Sequence, residues 1–279
     1  MGIAQLDTIL RGTKLSASLP EPTTRIAQLA NDPNCNTLEL LRLITSDPVL
    51  VSRILKAVNS TYYSLPQKIG SVERAIAFLG LKAIKNLALA GGFQGMFSGP
   101  ELVPGIRPID LWQHSLTVGA AARDLARMAK SAYVEEAFTA GILHDIGMLS
   151  LCQQLADPMR QVVQMTKAGV GLFSAIELRV MGVTHSQVGG GLARQWKFPE
   201  FLAEGIAGHH EPESSGQPLA AILFVADSLA SESDSGFSLT AAGQKITPEI
   251  LQLAGLTEAN CDELRVEMPN LLQLISHLM

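Results

Sequence analysis

The amino-acid sequence predicts an all-α protein, and three observations carry that prediction. Apolar residues recur at three- and four-residue intervals along nearly the whole chain. Strict period-two alternation over a strand's length is hard to find. Helix start signals stand at the heads of the periodic segments. With 47% apolar residues in 279, the chain can bury a core without covalent staples.

Ala4 to Leu10 forms an early helix, followed by one near 22–31. Asn36 with Glu39 has capping-box spacing and opens a helix over 37–46. Asp47 before Pro48 is an N-cap with proline at the first helical position, where its missing N–H is not needed, and predicts a helix over 48–59. Ser71 caps 71–79, which stops at Gly80, and a further helix runs over 81–96. Glycine and proline then concentrate from Gly91 to Gly105, predicting a boundary near 97–108. It separates an N-terminal helical layer, residues 1–100, from a C-terminal one, 101–279. Beyond it, helices are expected at 109–129, 134–147, 152–168, 172–182, 184–196, 199–208, 217–232, 248–254 and 258–277. Thr184 with Gln187 supplies a second capping box. Polar breaks at Glu211 to Pro218 and Ser231 to Gly236 read as loops, the latter exposed. The last helix, with Leu264, Val266, Leu271 and Ile275, is expected to cap the core or form a homodimer interface.

Composition excludes several functions. The longest apolar run, Leu219 to Ala226, has eight residues, against roughly 18 for a membrane span. Charges interrupt the first fifteen residues, so no signal peptide is expected. Cys35, Cys152 and Cys261 are odd in number and far apart, which fits reduced thiols in a cytoplasm rather than disulfides. A net charge of −5 argues against broad nucleic-acid or membrane-surface binding. One stretch runs the other way: Arg53, Lys56, Lys68, Arg74, Lys82 and Lys85 face only Glu73 between Val49 and Pro100. At helical spacing these charges read as solvated helix faces.

The chemistry gathers around histidine. His144 and Asp145 are adjacent in an apolar segment, Ala140 to Leu149, where an unpaired imidazole and carboxylate would each be costly to bury. A divalent cation satisfies both, since imidazole nitrogen and carboxylate oxygen suit Fe, Mn or Zn. Further donors are His114, His185, the pair His209-His210 and Asp227, all on expected helices or at their ends. Each alone reads as an ordinary surface, capping or core residue; together their order points to a site for one or two ions. His277, near the terminus, is set aside. Gly189-Gly190-Gly191 lacks the Lys-Ser or Lys-Thr of a phosphate loop and reads as a close helix contact.

The segments Leu19-Pro20, Asp47-Pro48-Val49-Leu50, Ile54 to Ser60, Tyr63 and Ser71 to Leu81 resemble the HDOD domain, over roughly residues 15–230. That resemblance implies an all-helical fold of the HD superfamily and a role in bacterial signalling. From the related HD-GYP phosphodiesterases it implies a dinuclear site made by His114, His144, Asp145, His185, His209, His210 and Asp227, with Asp145 bridging. All seven positions hold ligand-capable side chains. Two departures weigh against cyclic-dinucleotide hydrolysis: Met148 stands where HD-GYP proteins have a lysine, and their Gly-Tyr-Pro signature is replaced by a loop ending in Gly216-Gln217-Pro218.

The leading expectation is therefore a cytoplasmic signal-transduction module with a retained metal site, acting through a partner protein or a nucleotide-type ligand. The rival is a metal-dependent phosphohydrolase, in which Asp145 is the best catalytic candidate and Arg123 or Lys167 replaces the missing lysine. A metal-free interaction scaffold is the third.

Overall fold

The computed structural model describes residues 2–13, 23, 25–26, 29, 36–59, 65–233 and 235–278. Fifteen α-helices lie among them: α1 (Gly2–Gly12), α2 (Thr37–Thr45), α3 (Pro48–Val58), α4 (Val72–Phe93), α5 (Pro108–Met128), α6 (Val134–Leu143), α7 (Ile146–Gln154), α8 (Ala156–Lys167), α9 (Phe173–Met181), α10 (His185–Gln195), α11 (Glu200–Gly208), α12 (Pro212–Ser215), α13 (Pro218–Ser231), α14 (Pro248–Ala254) and α15 (Glu258–Leu278). No strand occurs among the described residues, whose one isolated bridge joins Val103 and Ile106. The fold is all-α. Of the expected 22–31 helix, residues 23, 25, 26 and 29 are described and helical. Leu19, Pro20, Cys35, Ser60 and Tyr63 lie outside the described residues.

The caps explain where helices begin. Asp47 accepts the N–H groups of Val49 and Leu50, and the Ser71 hydroxyl accepts that of Arg74. Thr184 and Gln187 complete a reciprocal box. Asn36 caps α2 through Leu38 N–H, but Glu39 turns away to Arg25 at 2.8 Å, so the expected box is half formed. At Gly80 the backbone leaves the helical region (φ 81°, ψ 162°), which only glycine adopts readily, so α4 consists of two helical segments that meet across a kink at the expected stop.

Two expected helices are divided differently. The 134–147 helix stops at Leu143, and a new one starts at Ile146 across Asp145 (φ −98°, ψ 8°). The 152–168 helix begins only at Ala156, because Pro158 has no N–H to extend α7 and instead sits in the first turn of α8. The 211–218 loop contains the short helix α12.

The helical stretch Val72–Phe97 is long and apolar enough to cross a membrane, yet half of its most apolar 18 residues are buried in the protein. Within it Lys85 donates to the Leu29 carbonyl, and Asn86 donates to Glu135 and accepts from Thr139. These buried polar contacts and the Gly80 bend identify a core helix. Arg53 likewise turns inward to the Gly91 carbonyl, so Arg53 and Lys85 leave the solvated face expected for the basic stretch.

The centre of the molecule is built from α5, α6, α7, α10, α11 and α13. Helix α5 lies against α6 so closely that a Cβ on Gly141 would stand 2.6 Å from the Gly119 Cα. Helix α13 packs on α5, α6 and α11 with its apolar residues buried on all sides. Helix α15 covers α5, α13 and α3 through Leu264, Leu271 and Ile275, while Val266 is exposed.

Candidate metal centre

All seven predicted donors converge in this core. His114 comes from α5, His144 and Asp145 from the turn between α6 and α7, His185 from the first position of α10, His209 and His210 from the end of α11, and Asp227 from α13. Six have no exposure; His210 is half-buried. The α6–α7 break matters here, because it frees His144 and Asp145 from the roughly 100° separation of neighbours on a continuous helix.

The donors form two groups, His114–His144–Asp227 and Asp145–His185–His209–His210, each with ligand atoms within 4.8 Å of one another. In the first, His114 Nε2 lies 2.9 Å and His144 Nε2 4.0 Å from Asp227 Oδ1. In the second, Asp145 Oδ1 lies 3.0 Å from His185 Nε2 and 3.9 Å from His209 Nε2. Asp145 Oδ2 faces the first group, 3.4 Å from His144 Nε2. Donors sharing one ion at bond lengths of about 2.1 Å stand about 3–4 Å apart, the spacing seen here.

Every one of the five imidazoles turns Nε2 inward and anchors Nδ1 outward. His144 and His209 contact the carbonyls of Gly141 and Ile206 at 2.7 Å, each three residues earlier. His114 contacts the Ser235 hydroxyl at 3.2 Å, His210 the Gln244 amide, and His185 the Glu177 carboxylate at 2.6 Å. Anchoring the outer nitrogen fixes the ring orientation that a metal ligand needs.

Buried polar atoms normally find partners. Here His144 Nε2, Asp145 Oδ1, His209 Nε2 and Asp227 Oδ2 have no hydrogen-bond partner, and the first three face the same small volume. Burial and neighbouring charges set the ionisation of these groups. Burial would raise the Asp145 carboxyl, but His144 and His185 outweigh it and hold it well below the usual range. Burial would lower His185, but Glu177 and Asp145 raise it to about 10. Burial, with the like charges of His144 and His185, pulls His209 down to about 3; burial, with His209 and His185, also takes His210 well below its usual range. Two neutral imidazoles and the Asp145 carboxylate are therefore available as donors, and the donor set fits a divalent transition metal.

Sequence reasoning missed the supporting residues. Glu177 sits fully buried on α9. Ser235, Thr240 and Gln244 lie on one strap between α13 and α14, with Thr240 donating to Asp145 Oδ2 at 3.2 Å. The strap corrects the expectation of an exposed Ser231–Gly236 loop: Ser235 is buried on His114. Met148 is buried in the core. Arg123 lies over the Phe138 ring beside Asp124, and Lys167 is exposed, with its amine near Gly105. A cleft of about 440 Å³ opens beside His210, lined by Ser174, Gln187, Arg194, Glu204 and Glu211 among others. Its cation, Arg194, pairs with Glu200.

The HDOD domain profile matches residues 17–212. The chain belongs to the HDOD family. The match contains six of the seven donors; Asp227 and the strap lie beyond it. Among solved structures, an HDOD domain protein from Geobacter sulfurreducens is similar to this HDOD chain at a TM-score of 0.82 and 24% identity, covering 99% of both chains. The "putative phosphohydrolase" of Shewanella amazonensis SB2B follows at 0.78 and 24%, covering 99% of this chain and 98% of its own. At these identities the likeness is one of fold. An uncharacterized protein of Treponema pallidum (strain Nichols) is 22% identical over 209 residues, 71% of this chain, which spans 40% of that relative's length.

Proposed function

We propose that this HDOD protein is a cytoplasmic signal-transduction module whose C-terminal half holds one or two Fe, Mn or Zn ions, and that it acts by binding a partner protein or a nucleotide-type ligand. The carrying observation is the buried cage of outward-anchored imidazoles with unpaired inward-facing atoms. His114, His144 and Asp227 would hold one ion, and His185, His209 and His210 a second, with Asp145 offering an oxygen to each. The chain's own residues favour binding over turnover. The strap covers ligands of both groups, Met148 adds no charge, and the cleft's arginine is already paired.

The second reading, a metal-dependent phosphohydrolase, is favoured by the two-sided Asp145 and by the contact of His210 with the cleft. Divalent ions at such a site supply charge stabilisation to a phosphoryl group and ease deprotonation of water. His210 would then meet a substrate first, and Asp145 would orient the reacting water.

Elemental analysis of tag-free protein, with Asp145→Ala and His144→Ala alongside, tests both readings. One to two equivalents of transition metal, lost in both variants, are expected. Metal-free protein that reconstitution cannot load would leave a helical scaffold. Phosphoester turnover abolished by Asp145→Ala would replace the first reading by the second.

A further inference from the structure

Glu177 is not among the seven donors, yet it makes two hydrogen bonds to one of them. It has no exposure, and its Oε2 accepts two N–H groups of a single residue: the His185 main-chain N–H at 3.1 Å and Nδ1–H at 2.6 Å. One oxygen thus holds both the backbone that starts α10 and the ring it carries. The other oxygen, Oε1, has no hydrogen-bond partner. Packing alone does not account for a carboxylate here, because an apolar side chain would fill the space without desolvating a charge.

The other four imidazoles are anchored by neutral groups: the carbonyls of Gly141 and Ile206, the Ser235 hydroxyl and the Gln244 amide. Only His185, among these five, is backed by a carboxylate. A carboxylate on the outer nitrogen fixes the tautomer that leaves Nε2 free to donate, and makes that nitrogen the stronger base. His185 Nε2 points at Asp145 Oδ1 and at His210 Nε2, 2.8 Å away.

We infer that Glu177 is a positioning residue that makes Asp145–His185–His209–His210 the tighter of two unequal metal positions, filled before His114–His144–Asp227. The inference rests on the metal-centre reading above.

The test titrates chelator-stripped full chain with Co²⁺, following heat and visible absorption. Wild type is expected to bind a first equivalent tightly and a second weakly. Asp227→Ala should keep the first equivalent, with an unchanged spectrum, and lose the second. Glu177→Gln retains an acceptor of the same shape without the charge; it should weaken the first equivalent about 10- to 100-fold, with altered absorption and an unchanged far-ultraviolet circular dichroism spectrum. Glu177→Ala should weaken it at least as much. Equal first-equivalent affinity in Glu177→Gln and wild type overturns the inference, as does loss of the tight equivalent in Asp227→Ala. Those results leave the metal centre standing. No Co²⁺ uptake by wild type overturns both.

Discussion

Gly147 lies so close to His185 that a Cβ added to it would stand 2.0 Å from the His185 carbonyl oxygen and 2.8 Å from the Gly189 amide nitrogen. Both obstacles are backbone and cannot rotate away. The absence of a side chain therefore sets how near α7 comes to α10, and with it the distance from Asp145 to His185. Gly147→Ala is predicted to cost at least about 3 kcal/mol, the upper range for overpacking, which lowers Tm by about 6–12 °C in a chain of this size. Gly95→Ala, facing open space, is the control and should melt within about 2 °C of wild type. A Gly147→Ala protein that melts like wild type would sink this account.

Helix positions were legible because caps and periodicity are local: Asp47-Pro48, Ser71 and Thr184–Gln187 act within four residues of themselves. The convergence of the seven donors was legible through their order and chemistry. The turn at His144-Asp145 was not, because Gly141 and Gly147 weaken a helix over Ala140 to Leu149 without fixing where it breaks; the packing of α7 on α10 decides that. Glu177 could not be singled out either. Between Ile176 and Leu178 it has the pattern of a polar residue on an amphipathic helix, and only the approach of α10 makes it a buried partner. Ser235, Thr240 and Gln244 sit in a serine-rich, polar segment whose composition reads as exposed loop, and their role depends on contacts up to 121 residues away in sequence.

The metal-free chain should be most stable near pH 6–7. Histidine in an unfolded chain titrates near 6.5. His209, held down at about 3 when folded, refuses a proton that the unfolded chain accepts, so stability falls as pH drops from about 6.5 toward 3. Asp145, held low by His144 and His185 against burial, adds to this acid loss. His185, raised to about 10, contributes stability that is full below about 6.5 and is lost as pH rises through 10. Tm of chelated protein measured from pH 4 to 10 should therefore pass through a maximum. A monotonic or flat profile would contradict the proposed charge pattern.

Cys152 should be inert in the native protein. Burial, with the nearby Glu177 charge, pushes its thiol up to about 12, and only 3% of the residue is exposed. At pH 8 its thiolate fraction is about 10⁻⁴, and the thiolate is the reactive form. Iodoacetamide at pH 8, followed by peptide mass spectrometry, should leave Cys152 unmodified for hours and modify it fully in denaturant. Rapid native labelling would show that the α7 core opens readily.

The strap between α13 and α14 should govern how fast metal leaves. It places Ser235 on His114, Thr240 on Asp145 and Gln244 on His210, and buries Phe237 with its ring 6.4 Å from that of His114. His210 is the half-buried donor and borders the cleft, so solvent reaches the centre most directly there, where Gln244 holds the ring. Removing that hold costs little packing but frees the imidazole to swing outward. In protein loaded with Co²⁺ and mixed with excess chelator, Gln244→Ala and Thr240→Val are each predicted to speed metal loss by about 10-fold, the lower end of the effect of removing a ligand's supporting contact. Ser238→Ala, on the exposed side of the strap, should match wild type. Release at the same rate in all four proteins would mean that the strap covers the centre without holding it, and that exchange is controlled by the seven donors alone.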